Sequence, residues 1–118
     1  MDVGGTKVAA VLLEGAGGTV LDREQASSGG SATDLVATLA GLVDSLRTRA
    51  NTDRGTVAAV GLGIAGLVDR RGVVRWSPNL PAVVDRHLTD ELEAAVGLPV
   101  TTTNDAAAAT VAETRFGA

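Results

Sequence analysis

Apolar and polar positions along this chain change their period several times, and each change predicts an element. Lys7 to Leu13 is an apolar, β-branched run that reads as a strand. Beyond the turn residues Gly15-Ala-Gly-Gly18, Thr19 to Ala26 reads as a second strand, so the two predict a hairpin. The loop Ser27-Ser-Gly-Gly-Ser31 leads into a segment whose Leu35, Leu39, Leu42 and Leu46 recur at helical spacing, with Ser31 or Thr33 as its cap. Its charges (Asp34, Asp44, Arg47, Arg49) fall mostly off that stripe, as expected of an amphipathic helix covering a sheet.

Val57 to Ile64 is nearly all apolar or glycine, which predicts a strand buried on both faces. Leu67-Val68 and Val73-Val74 flank the polar turn Asp69-Arg-Arg-Gly72 and predict a small hairpin over Gly66 to Val74. Ser77-Pro-Asn-Leu-Pro81 is a rigid loop. Thr89 to Val96 predicts a helix ended by Gly97 with Pro99 beyond it. Val100 to Thr103 predicts a short strand, and Asp105 to about Thr114 an alanine-rich helix. The order is hairpin, helix, strand, hairpin, helix, strand, helix: an α/β plan with mixed strand directions.

Composition narrows the class. At 118 residues the chain fits one domain, and such a length buries about two thirds of its surface. Net charge is −4 with no basic run, so nucleic acid is not an expected partner of this segment. No apolar stretch reaches the ~20 residues of a membrane span, and no secretory signal pattern opens the sequence. Zero cysteines exclude disulfides and thiolate metal sites and fit a cytoplasmic protein. Met1 stands directly before a glycine motif that should follow a complete strand. The last predicted helix meets Arg115-Phe-Gly-Ala118 without a stop signal. Both ends read as cut, so a fragment is expected.

The candidate chemistry begins at Asp2-Val-Gly-Gly-Thr-Lys7, which holds an acid, two glycines, a hydroxyl and the single lysine against nine arginines. Exposed N–H groups, a hydroxyl and an ammonium suit a phosphate chain, and a nearby acid can hold Mg²⁺ or its waters. The same Gly-Gly pair would also serve an ordinary hairpin turn. Gly61-Leu-Gly63-Ile-Ala-Gly66 spells a dinucleotide fingerprint, but such a turn must open a helix, and Leu67 to Val74 has hairpin character instead. Asn104-Asp105 lies where a strand gives way to a helix. It can be a cap, or Asp105 can be a general base beside a polyol bound by Asn104. Asn79, held between Pro78 and Leu80-Pro81, is a turn former or a ligand contact. Trp76 predicts core or rim packing beside that loop, and His87, among Arg86 and Asp90, a solvated or structural role.

These sites together resemble the ROK group of sugar kinases and sugar-responsive repressors, and its glucokinase-like members above all. The resemblance covers essentially the whole chain in order and spacing. Asp2-Val-Gly-Gly-Thr-Lys7 resembles the group's phosphate motif, and Gly61 to Asp69 its glycine-rich sugar loop. Ser77-Pro-Asn-Leu-Pro81 resembles its sugar-contacting loop, and Asn104-Asp-Ala106 with Glu113 and Phe116-Gly117 its catalytic segment.

That resemblance implies an actin-like, ribonuclease-H-like half-domain, with residues 1–118 as a partial amino-terminal domain and the carboxy-terminal half absent. It implies ATP phosphates lined by Gly4, Gly5, Thr6 and Lys7, Mg²⁺ near Asp2, and a hexose contacted by Gly66, Asn79, Asn104 and Asp105. Asp105 would be the base that activates the sugar 6-hydroxyl, with glucose as the expected hexose and a homo-oligomer expected at full length. A structural zinc, a Glu-x-Gly-His sugar motif and most of the adenine pocket would belong to the later half. The fragment alone is therefore expected to be inactive. The alternative within the group is the sugar-binding part of a transcriptional repressor. Five positions depart from the group's pattern. Ala65 and Leu67 stand where prolines are usual, Ala107 where Asn is usual, and Ala82-Val83 replace a Gly-Trp pair.

Overall fold

The computed structural model describes residues 1–14, 19–53, 56–104 and 112–115. Strand β1 is Asp2–Val3, β2 Lys7–Glu14, β3 Val20–Ser27, β4 Thr56–Ile64, β5 Leu67–Val68, β6 Val74–Trp76, β7 Val100–Asn104 and β8 Ala112–Arg115. Helices α1 (Ala32–Asp53) and α2 (Leu88–Val96) and a 3-10 turn at Pro81–Val83 complete the described elements.

The main sheet is mixed. β3 pairs antiparallel with β2, β2 antiparallel with β1, β1 parallel with β4, and β4 parallel with β7. β8 lies between β2 and β4, parallel to the first and antiparallel to the second. β1 and β8 thus share one slot end to end: β1 faces Val8 and Ala9 of β2, and β8 faces Leu12 to Glu14. β5 and β6 form a separate two-stranded hairpin.

Helix α1 starts where its sequence predicts. Of the two cap candidates it is Ser31 whose Oγ accepts the Asp34 N–H at 3.1 Å, while the Ser31 carbonyl accepts the Leu35 N–H at 3.0 Å. Leu35, Leu39, Leu42 and Leu46 are all buried, and each such side chain withdrawn from water contributes about 1.5–3 kcal/mol. They meet Val8, Ala10 and Leu12 of β2, Leu62 and Ile64 of β4, and Leu88, Leu92 and Val96 of α2 in one core. Arg47 donates to the Val96 carbonyl at 2.8 Å, which ties α1 to the carboxyl end of α2. Arg49 bridges Asp22 and Glu24 of β3 at 3.1 and 2.8 Å.

Two expectations are corrected. β4 is not sealed on both faces along its length: Ala58, Ala59 and Gly61 are only half-buried, because the two helices cover one side of the sheet. Ala112 to Thr114 are strand rather than helix. The open backbone between β2 and β4 offers ladder partners on both sides, and that pairing outweighs local helix preference. The start of the predicted helix, Asp105 to Val111, lies outside the described residues, as does the turn Gly15 to Gly18.

Two titrating groups give the fold a pH signature. The Met1 α-amino group donates to the Gly61 carbonyl inside the sheet. Burial lowers its pKa from 8.0 to about 5, against a smaller upward pull from Asp2. Asp69 sits in the β5–β6 turn, and its Oδ1 accepts the Val73 N–H at 3.0 Å and the Arg71 N–H at 2.8 Å. Arg75 bonds its Oδ2 at 3.0 Å. The Val73 bond first, then those from Arg71 and Arg75, hold the Asp69 carboxyl below its ordinary 3.8.

For a chain beginning at Met1, the unfolded state binds the amino proton more readily, so stability should fall as pH drops from 8.0 to about 5. The loss is on the order of 4 kcal/mol. Urea titrations across that range should lose this slope when the amine is acetylated, and an unchanged slope would rule the group out. Asp69 has a depressed folded pKa, so its contribution should vanish as pH falls below 3.8. Asp69→Asn should flatten that acid limb of the curve.

Candidate functional site

The strand register brings three chain segments to one edge. Val3 of β1 stands opposite Ile64 of β4, and Ile64 stands opposite Asn104 of β7. Those three strands are parallel, so their carboxyl ends open side by side, the place where α/β sheets bind ligands. The segments leaving β1 and β4 are the Gly4–Thr6 turn and the Ala65–Gly66 bend, and β7 ends beside them at Asn104.

The first turn is internally braced. The Gly4 N–H donates to the Lys7 carbonyl at 3.0 Å. The Ser28 hydroxyl donates to the Gly4 carbonyl at 2.6 Å and the Ser28 N–H to the Thr6 carbonyl at 3.0 Å. Gly5, Thr6 and Lys7 are exposed, and Lys7 has no ion-pair partner among the described residues. The turn therefore offers a free-standing ammonium and a hydroxyl on a fixed backbone. Asp2 is exposed beside it. Among the described residues no three His, Cys, Asp or Glu side chains cluster to hold a metal ion. A lone carboxylate suits Mg²⁺, which takes one or two protein oxygens and completes its shell with water and phosphate.

The second segment is the Ala65–Gly66 bend. No helix opens after Gly61-Leu-Gly63-Ile-Ala-Gly66; β5 begins at Leu67, which removes the dinucleotide reading. Gly66 lies against the start of the Ser77–Pro81 loop, where a Cβ would collide with the Trp76 carbonyl oxygen and lie 3.1 Å from the Ser77 Cβ. The buried Ser77 hydroxyl donates to the Ala65 carbonyl at 2.9 Å. The Asn104 amide donates to the Gly66 carbonyl at 2.5 Å. Bend, loop and strand end are thus joined by two side-chain donors.

Asn79 is exposed at the tip of this loop, while Leu80 beside it is buried and anchors the tip. Asn79 also meets the first turn: a Cβ on Gly5 would lie only 2.8 Å from its carbonyl oxygen. The structure therefore brings Gly4, Gly5, Thr6, Lys7, Gly66, Asn79 and Asn104 to one edge. Asp105, Ala106, Ala107, Phe116 and Gly117 lie outside the described residues.

Trp76 is 57% exposed and pairs across the hairpin with Leu67, so it belongs to a rim and not to the core. His87 is exposed and stands 3.7 Å from Asp90, consistent with a solvated role. A cavity of about 170 Å³ opens between Gly5, Ser28, Ser31 and Asn79. Two residues that hold the site are not singled out by sequence reasoning. Ser28 is one of three serines in a glycine-rich loop, and Ser77 opens a motif in which the prolines and Asn79 draw attention.

Comparisons with known proteins bear on the family and the fold. The chain matches the ROK family over residues 1–118. It is 35% identical to a glucokinase of Streptomyces coelicolor over 118 residues, which is 99% of this chain and 35% of that protein. A ROK family glucokinase from Streptomyces griseus, solved with glucose and AMPPNP, superposes with a TM-score of 0.76 at 34% identity, covering 89% of this chain and 32% of that one. A ROK family transcriptional regulator, a homologue of the E. coli MLC protein, superposes with a TM-score of 0.74 at 25% identity, covering 89% of this chain and 26% of that one. The chain spans about a third of the length of the curated relatives it matches. With a mixed sheet, flanking helices and the actin-like architecture of ROK sugar kinases, the chain belongs to the ROK family.

Proposed function

We propose that this chain is the sugar- and phosphate-binding lobe of an ATP-dependent hexose kinase, with glucose as its sugar. The observation that carries the proposal is the meeting of the Gly4–Thr6 turn with the Asn79 loop at the carboxyl edge of three parallel strands. Phosphoryl transfer needs two ligands held in line more than it needs covalent chemistry from the protein. In this reading Gly5, Thr6 and Lys7 bind the phosphate chain, while Gly66, Asn79 and Asn104 hold the hexose. Asp105 accepts the proton of the 6-hydroxyl as that oxygen attacks the γ-phosphorus, and the bond from phosphorus to the β–γ bridging oxygen breaks to release ADP. Mg²⁺, placed near Asp2, would neutralise charge on the phosphate oxygens.

A sugar-responsive repressor is the second reading, favoured by the likeness to the transcriptional regulator. The braced turn with its exposed Lys7 argues for the kinase, since a sensor of sugar alone has no use for a phosphate cradle. A segment with helix-turn-helix pattern ahead of this chain in its gene would favour the repressor.

The cavity of about 170 Å³ is smaller than the roughly 300–1,000 Å³ of typical ligand pockets. One lobe cannot enclose both ligands or exclude water. The 118-residue chain should therefore show no ATP-dependent glucose phosphorylation in a coupled assay; measurable turnover would refute this. In the kinase at full length, Asp105→Asn should lower kcat on the order of 10²–10⁴-fold with little change in sugar affinity. Near-normal turnover would reduce Asp105 to a helix cap. A panel of hexoses on the same protein identifies the sugar.

A further inference from the structure

Ser28 is almost fully buried at the end of β3, at 1% exposure, yet both of its donors are engaged outside its own strand. Its hydroxyl reaches the Gly4 carbonyl at 2.6 Å and its N–H the Thr6 carbonyl at 3.0 Å. Those two carbonyls flank Gly5. Gly5 in turn touches Asn79: a Cβ there would lie 2.8 Å from the Asn79 carbonyl oxygen and 3.3 Å from its Cβ. A Cβ there would force the Asn79 backbone to give way, so the two loops meet closely at this point, beside the cavity they share. On the far side Asn79 is backed by Leu80, whose N–H donates to the Ser77 carbonyl at 3.3 Å, and by the Ser77 hydroxyl bond to Ala65. A shift of the turn towards Asn79 is therefore passed on to the loop.

We propose that Ser28 is a positioning residue that clamps the Gly4–Thr6 turn on both sides of Gly5 and, through the Gly5–Asn79 contact, couples seating of the phosphate chain to seating of the hexose. The identity of the two ligands rests on the kinase reading above; the mechanical link between the loops does not. An alanine at position 28 would remove the hydroxyl alone, and with it the bond to the Gly4 carbonyl.

Two measurements on the full-length protein test this. Hexose affinity is measured by calorimetry with and without a non-hydrolysable ATP analogue. The wild type should bind glucose several-fold more tightly with the analogue present, within the roughly 5–150-fold range of coupled sites. Ser28→Ala should bring that ratio close to one, and Ser28→Thr should restore it. A Ser28→Ala protein that loses thermal stability but keeps the wild-type ratio, or a wild type with a ratio of one, would overturn the coupling.

The second measurement needs no ligand: hydrogen exchange at the Gly4 and Leu80 amides. Ser28→Ala should accelerate both. Acceleration at Gly4 with Leu80 unchanged would overturn the link. Gly5→Ala, which presses on Asn79 from the turn side with Ser28 intact, should accelerate Leu80 exchange and serves if Ser28→Ala does not fold. If the wild type phosphorylates no hexose, the kinase reading fails, while the exchange data still decide the link.

Discussion

Everything at the candidate site depends on a backbone constraint: the parallel hydrogen-bond register that aligns Val3, Ile64 and Asn104 across β1, β4 and β7. Strand pairing fixes this alignment to within one residue, because a slip of one would turn every side chain of the strand to the opposite face. The buried side chains Val60, Leu62 and Ile64 of β4 and the leucine face of α1 resist such a slip. Core burial thus does more than stabilise the domain. It sets the origin from which the Gly4–Thr6 turn and the Ala65–Gly66 bend leave in a common direction.

Beyond that edge, order comes from a second, repeated device. The first turn and the Ala65–Gly66 bend have main-chain carbonyls gripped by side-chain donors from elsewhere: Gly4 by Ser28, Ala65 by Ser77, and Gly66 by Asn104. Each bond contributes only about 0.5–1.5 kcal/mol net. Their value is directional, because each orients a polar backbone group that apolar packing alone leaves free to turn. The exposed groups Lys7 and Asn79 are then carried on bends that are fixed at their bases, which is how a binding site is preorganised.

Much of this was legible in the amino-acid pattern. The leucine spacing announced α1, Ser31 its start, Gly97 the end of α2, and Asp69-Arg-Arg-Gly72 the small hairpin. The order of the glycine, Asn79 and Asn104 motifs announced the family. Side-chain donors such as Ser28 were not legible, since a serine in a loop has the same local signature whether its hydroxyl faces water or a carbonyl 24 residues away. Ala112 to Thr114 misled for a related reason. Alanine favours helix locally, whereas the vacancy between β2 and β4 is created by residues about a hundred positions earlier and half a chain away.

That vacancy has a consequence of its own. β1 and β8 lie head to head in one strand position, one from each end of the chain, with Asp2 opposite Gly63 and Ala112 opposite Val60 on β4. Room for only a residue or two separates them along that ladder. Any extended segment joined ahead of Met1 would have to enter the place that Ala112 holds. β1 and β8 therefore divide a single strand position, and neither can lengthen far along β4 without meeting the other.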